Sequence, residues 1–198
     1  IVREHEADLV VREAQRVADG VVAITLAARD GTELPAWTPG AHIDFVLDDD
    51  LVRQYSLCGS PSKPDAWRVG VLRAPDSRGG SERVHDLLAP GSIVRVRGPR
   101  NHFPLVASPR YLFIAGGIGI TPLLGMAHAL ERHGRPFRLL YAARTREQLA
   151  FADELSELCG DRLELFVSAE GRRLDLGAEI SKLDPDGELY LCGPVRLR

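Results

Sequence analysis

Arg53-Gln54-Tyr55-Ser56-Leu57 closes a β-type run, and the rest of the chain is read outward from it. Arg53 offers a planar fork of donors suited to a phosphate. Tyr55 offers a flat ring with a polar tip, and Ser56 a small hydroxyl that donates or accepts. In a strand, residues 53 and 55 share one face while 54 and 56 share the other. A ligand lying across the strand end therefore meets the backbone and both faces. Taken alone, the five residues also describe an edge strand with an exposed arginine.

Residues 9–14, 21–28, 41–47, 67–73 and 92–97 carry the same β-type character. Turn signals separate them at Asp19-Gly20, Trp37-Thr38-Pro39-Gly40, the acidic tip Asp48-Asp49-Asp50, and Gly59-Ser60-Pro61. Short strands punctuated this way predict a six-stranded antiparallel Greek-key barrel. One helix interrupts it. Ser81 caps this helix, Glu82 sits in the first turn, Val84, Leu87 and Leu88 form its apolar face, and Pro90-Gly91 ends it. Arg78-Gly79-Gly80-Ser81, at its start, combines small residues with free N–H groups that attract anions.

From residue 111 the pattern becomes strand, helix, strand, helix, which predicts a parallel sheet with helices on its faces. Strands are expected at 111–115, 137–142, 163–167 and 189–192. Thr121 is the expected cap of the first helix, with Pro122 at its first position and Gly134 past its end. A further helix falls within 146–158. Gly116-Gly117-Ile118-Gly119-Ile120-Thr121-Pro122 occupies the phosphate-binding position of such a sheet, although it matches the dinucleotide fingerprint only in part. Arg144, not an acidic residue, follows the second strand.

Composition narrows the function. The chain has 198 residues, 44% of them hydrophobic and 27% charged, and a net charge of −3, so it carries no nucleic-acid footprint. No apolar run reaches the roughly 18 residues of a spanning helix. Cys58, Cys159 and Cys192 are too few and scattered for a disulfide framework, which fits a reducing cytoplasm. Neither cysteines nor histidines show metal-ligand spacing, and no metal is expected in this chain. The chain starts at Ile1 and stops shortly after a Gly-Pro, so both ends read as cut from a longer polypeptide.

Together, Arg53 to Leu57, Arg78 to Ser81, Gly116 to Pro122 and Cys192-Gly193-Pro194 resemble the ferredoxin-reductase superfamily of flavoproteins, most closely the phthalate dioxygenase reductase type. The resemblance implies a flavin-binding barrel over 1–105 and an NAD-binding domain over 106–198. It lays Arg53, Gln54, Tyr55 and Ser56 along the isoalloxazine and gives Gly79, Gly80 and Ser81 the flavin phosphate. Val71, Leu72 and Arg73 then pass beside the ring or ribityl chain. Gly117, Ile118, Gly119, Thr121 and Pro122 meet the nicotinamide cofactor, and Cys192, Gly193 and Pro194 lie against its ring. Asn101 and Phe103 belong to a linker that packs the domain interface. Ser56 and Cys192 are the expected catalytic pair, Cys192 as a wall and not a nucleophile.

The resemblance implies FMN over FAD, because Arg53 and the glycine-serine loop suffice for one phosphate and no aromatic platform for an adenine is evident. NADH is expected over NADPH, although Arg144 or Arg146 would supply charge for a 2′-phosphate. Family members carry a plant-type 2Fe–2S domain with C-x₄-C-x₂-C spacing, which is absent here. Its expected place is downstream, feeding a Rieske-type oxygenase or a haem monooxygenase. An FAD-containing electron-transfer subunit or flavin reductase is the rival reading. A degenerate nucleotide-binding module is the non-enzymatic one.

Overall fold

The computed structural model describes residues 5–48, 50–73, 80–87 and 89–194. The first half is β1 (Glu6–Ala18), β2 (Val21–Ala28), β3 (His42–Asp48), β4 (Leu51–Ser56), β5 (Trp67–Leu72), α1 (Gly80–Leu87) and β6 (Ile93–Arg100). The six strands form one antiparallel sheet in the order β4-β3-β6-β1-β2-β5. Its two edges then meet. Leu57 bridges Val69, and Cys58 N–H donates to Arg68 O at 2.8 Å, which closes the sheet into a barrel. Below that closure β4 and β5 diverge, and α1 docks there.

The barrel interior is apolar. Ile24, Leu26, Ile43, Phe45, Leu57, Trp67, Val69 and Val71 are all buried within one cluster. On β5 the alternation is strict enough to assign faces. Trp67, Val69 and Val71 point in, so Arg68, Gly70 and Leu72 lie on the outer face.

The second half comprises β7 (Tyr111–Gly116), α2 (Ile120–Arg132), β8 (Phe137–Ala143), α3 (Ala152–Cys159), β9 (Leu163–Val167), α4 (Leu176–Ile180) and β10 (Glu188–Cys192). Its four strands are parallel, in the order β10-β7-β8-β9. The chain leaves β7 in one direction and returns from β9 to the other side of it. The strand order therefore reverses between β7 and β10, and a crevice forms at the carboxyl ends there. Both faces of the sheet are covered, one by α2 and α3 and the other by Leu174, Leu176 and Leu183.

Both helix starts differ from the sequence expectation. α1 begins at Gly80, so Ser81 is a buried residue of the first turn and not the cap. α2 begins at Ile120 after a 3₁₀ turn over Gly117–Gly119, with Gly119 at the cap position. The Thr121 hydroxyl donates back to Ile118 O at 3.0 Å instead of accepting from the helix. The reason is local: the 3₁₀ turn already engages the first backbone donors, so the helix starts two residues early. The expectations for Asp49, Arg78, Gly79 and Leu88 fall outside the described residues.

The two halves share a core. Val21, Ala23 and Cys58 of the barrel belong to the same buried cluster as Phe113, Leu123, Tyr141 and Leu155. A charged cluster sits at this seam. Arg68 of β5 donates to Glu154 Oε1 of α3 at 2.7 Å, and His128 Nε2 of α2 lies 2.8 Å from the same oxygen. Burial opposes ionisation of Glu154, but the hydrogen bonds and charges of His128 and Arg68 outweigh it and hold the carboxyl down to about 2. A depressed carboxyl contributes stability that is complete above its ordinary value of 4.5 and is lost as pH falls towards 2. Thermal melting of the wild type across that window is expected to show a steeper acid loss than Glu154→Gln. Parallel curves would mean that Glu154 is not ionised in the fold.

Candidate functional site

The first half-site lies where β4 and β5 part. Arg53 and Tyr55 stand opposite Phe45 and Ile43 of β3, while Gln54 and Ser56 stand opposite Asp44 and His42. Arg53 NH1 donates to Val52 O at 2.8 Å and forms no ion pair among the described residues. Its side chain lies across Gly80. A Cβ there would clash with Arg53 Nε and come within 2.7 Å of Cγ. The glycine thus seats a half-buried guanidinium at the N-terminal end of α1, where backbone donors also point. An anion fits this donor set.

Side-chain bonds hold α1 in the gap. His85 Nε2 lies 2.9 Å from Val71 O, and Arg73 pairs with Asp86 at 2.9 Å. Val71 is buried, while Leu72 and Arg73 are exposed at the strand end. Tyr55 packs edge-on against Phe45, with ring centroids 5.0 Å apart. Burial pushes its phenol up to about 12, against the pull of Arg53, so it stays a neutral ring with a hydroxyl tip.

Ser56 is half-buried and faces His42 across the ladder. His42 is itself 6% exposed, and its Nε2 has no hydrogen-bond partner among the described residues. Burial lowers its pKa most, followed by the charges of Arg100 and His102, with Asp44 opposing. The imidazole is therefore kept neutral beside the Asp44–Arg100 pair. The sequence marked neither His42 nor this pair, because a lone histidine in a strand announces no function and Arg100 lies on a different strand, β6.

The second half-site lies at the β7–β10 crevice. Gly117 adopts φ +51°, and nothing stands within 4 Å of where a Cβ would sit, so the loop presents open backbone. Tyr141 donates its hydroxyl to Gly117 O at 3.1 Å and fixes the turn. Gly119 lies against the Cys192–Gly193 peptide, where a Cβ would clash with Cys192 O. The fold thus brings the glycine loop and Cys-Gly-Pro together from positions far apart in sequence. Cys192 is half-buried, and burial raises its thiol pKa, which leaves it protonated and unreactive. Gly193 and Pro194 are exposed.

The two half-sites meet at β5. A Cβ on Gly70 would lie 2.8 Å from Thr121 Cγ2 and 3.1 Å from the Phe151 ring, so the glycine loop rests on the strand that carries Val71. Arg144 is exposed just past the end of β8 and forms no ion pair among the described residues. Arg146 is committed to Glu170 by two bonds of 2.6 and 2.8 Å. Asn101 is a structural staple. Its amide donates to Thr38 Oγ1 and Pro39 O at 2.7 and 2.9 Å. Among the described residues no cluster of three metal-type ligands occurs, and no helix is long and apolar enough to cross a membrane.

Residues 113–198 match the family described as Oxidoreductase NAD-binding domain. Over 182 residues the chain is 44% identical to the phenoxybenzoate dioxygenase subunit beta of Ectopseudomonas oleovorans, covering 90% of this chain and 56% of that one. Among solved structures it is similar to full-length CYP116B46 from Tepidiphilus thermophilus, with a TM-score of 0.93, 46% identity, and coverage of 97% of this chain and 26% of that one. It is also similar to phthalate dioxygenase reductase, described as a modular structure for electron transfer from pyridine nucleotides to [2Fe-2S]. There the TM-score is 0.91 with 31% identity, covering 97% of this chain and 61% of that one. The chain spans a little over half the length of the curated relatives it matches first.

The two loop glycines are expected to respond differently to alanine. Gly117→Ala meets open space and adds only left-handed backbone strain, about 1–2 kcal/mol. Gly119→Ala drives a Cβ into fixed backbone and is expected to cost more, towards or beyond the roughly 3 kcal/mol of severe overpacking. Urea denaturation of both variants measures the order, and the reverse order would deny the close contact between Gly119 and Cys192.

Proposed function

We propose, for a chain that belongs to the ferredoxin-reductase superfamily in its phthalate dioxygenase reductase branch, that it is the flavin- and nicotinamide-binding portion of an oxygenase reductase. One observation carries this. β5 borders both half-sites, with its Val71 carbonyl tied to α1 and its Gly70 pressed by Thr121 of the glycine loop. Two flat rings held on either side of that junction would lie face to face, and proximity is the main catalytic requirement of hydride transfer.

When bound, FMN supplies hydride acceptance from NADH and the later release of single electrons. Arg53, Gly79, Gly80 and Ser81 are assigned to its phosphate. Tyr55, Gln54 and the run Val71, Leu72 and Arg73 line its ring and ribityl chain, and Ser56 hydrogen-bonds near the hydride-accepting nitrogen. Gly117, Ile118, Gly119, Thr121 and Pro122 receive the dinucleotide. Cys192, Gly193 and Pro194 wall the donor side, and a protonated Cys192 suits a compact neutral wall. Residues 1–105 are assigned to the flavin and 106–198 to the nucleotide. FMN is favoured because one arginine at one helix start matches one terminal phosphate, and among the described residues the exposed large apolar side chains include no aromatic platform for adenine.

NADH is favoured for an electrostatic reason. A 2′-phosphate would meet the Glu170 carboxylate, and the nearby Arg146 is already taken by it. A 2′-hydroxyl could instead donate to Glu170. Arg144 is assigned to the diphosphate or ribose of the same nucleotide. Electrons would pass from the flavin to a 2Fe–2S domain or ferredoxin and on to an oxygenase of the Rieske or haem monooxygenase kind. The names of the relatives support that destination.

The test is the visible spectrum of the purified protein, with chromatography of the released flavin. Oxidised-flavin bands, release of FMN and bleaching by NADH are expected. Release of FAD would shift the reading to the FAD-containing rival, and a colourless protein unable to take up either flavin would sink it. In the same assay Arg53→Ala is expected to weaken flavin retention by about 1.5–3 kcal/mol, the loss of charged hydrogen bonds. Glu170→Gln is expected to raise the NADPH-to-NADH ratio of kcat/KM about tenfold or more, since each ~1.4 kcal/mol is tenfold. An unchanged ratio would remove Glu170 from nucleotide choice.

A further inference from the structure

The seam between the halves is not filled uniformly. A cleft of about 740 Å³ opens beside Cys58, Arg68, His128, Phe151 and Glu154. Apolar packing is therefore interrupted there, and the tie across the gap is polar. Arg68 of β5 and His128 of α2 both contact Glu154 Oε1 of α3, so three elements converge on one carboxylate oxygen. The side chains of these residues are only 29%, 19% and 29% exposed for Arg68, His128 and Glu154 respectively. Such shielding gives the contacts more weight than surface pairs carry.

Two neighbours show that this region is held under constraint. The Arg68 guanidinium lies over the Phe151 ring, 5.1 Å from its centroid. Phe151 itself adopts φ +60°, the only non-glycine residue with positive φ among the described residues. That conformation is strained in a bulky residue and persists only where its surroundings over-determine it. The same ring packs on Gly70, beside Thr121. Arg68 and Gly70 share the outer face of β5, about 6–7 Å apart along the strand. The next positions, Val71 and Leu72, lead into the first half-site.

We propose that the Arg68–Glu154–His128 cluster is an interdomain pin that sets the donor–acceptor distance for hydride transfer, with Gly70 as the stop against which the glycine loop rests. Arg68, Glu154, His128 and Gly70 are thus positioning residues; none of them touches a reacting atom. The pin holds α2 and α3 on β5. Thr121 then presses Gly70, and the spacing between the glycine loop and the Val71 strand end follows. The kinetic part rests on the flavin-reductase reading above.

Two readouts test it on the whole flavin-loaded chain. The first is hydrogen exchange at the backbone amides of β5 and of the first turns of α2. The second is the limiting rate of flavin bleaching at saturating NADH, with the half-saturation concentration and flavin content measured alongside. Glu154→Gln and Arg68→Ala are expected to speed exchange at both elements and to lower the limiting rate about tenfold or more, since misplacement by ~1 Å costs up to ~100-fold. Flavin content and half-saturation should stay near wild type, and Arg68→Lys should recover part of the rate. Gly70→Ala, which leaves the ions in place and wedges the halves apart, should lower the limiting rate in the same way. Faster exchange without slower bleaching would overturn the positioning role, as would slower bleaching explained by lost flavin or lost NADH affinity. A wild type that holds flavin but is not bleached by NADH would overturn the proposed function instead, leaving the exchange readout to judge the pin.

Discussion

The close approach of Gly70 to Thr121 and Phe151 is the constraint on which the arrangement depends. A strand of the barrel has no side chain at the point where a helix start of the second unit must arrive. A Cβ there would come within 2.8 Å of Thr121 Cγ2 and 3.1 Å of the Phe151 ring, so one side or the other would have to shift. Around this contact the two units share an apolar core through Val21, Ala23 and Cys58, and the Arg68–Glu154–His128 cluster ties them where that core gives out. The halves are therefore docked by packing, sterics and charge at one seam.

The same device recurs on both sides of the seam. Gly80 clears space for the Arg53 side chain, and Gly119 clears space for the Cys192–Gly193 peptide. In each case the missing Cβ admits a neighbour that the fold needs, and each neighbour belongs to a different segment of the chain. Topology adds the rest. Because the strand order reverses between β7 and β10, the loop after the first and the end of the last lie side by side at a crevice. Because β4 and β5 touch only near Leu57 and Val69, they leave an opening that α1 occupies.

Much of this was legible beforehand. The alternation of Trp67, Val69 and Val71 against Arg68 and Gly70 is visible in the sequence, and so is the apolar run from Tyr111 to Ala115 followed by glycines. Helix starts were misplaced by two residues, because Ser81 and Thr121 are good caps in general but each was already inside its helix. For Thr121 the preceding 3₁₀ turn decided the matter, and such turns leave little trace in side-chain pattern. Glu154, His128 and His42 were not legible at all. Each is an ordinary polar residue in its own element, and its meaning comes from partners on other elements, 26 positions away for His128 and Glu154 and 86 for Arg68 and Glu154.

By itself the sequence determined the local content: which segments are strands, where the chain turns, which loops lack side chains, and the family those motifs resemble. These follow from short-range periodicity and from the few residue types that admit unusual backbone. Only the tertiary structure decided what meets what. It laid Arg53 over Gly80, set Gly119 against Cys192, buried His42 beside the Asp44–Arg100 pair, and joined Arg68 to Glu154. Contacts of that kind depend on closing long loops and docking two units, a global balance of packing and charge that no window of sequence contains.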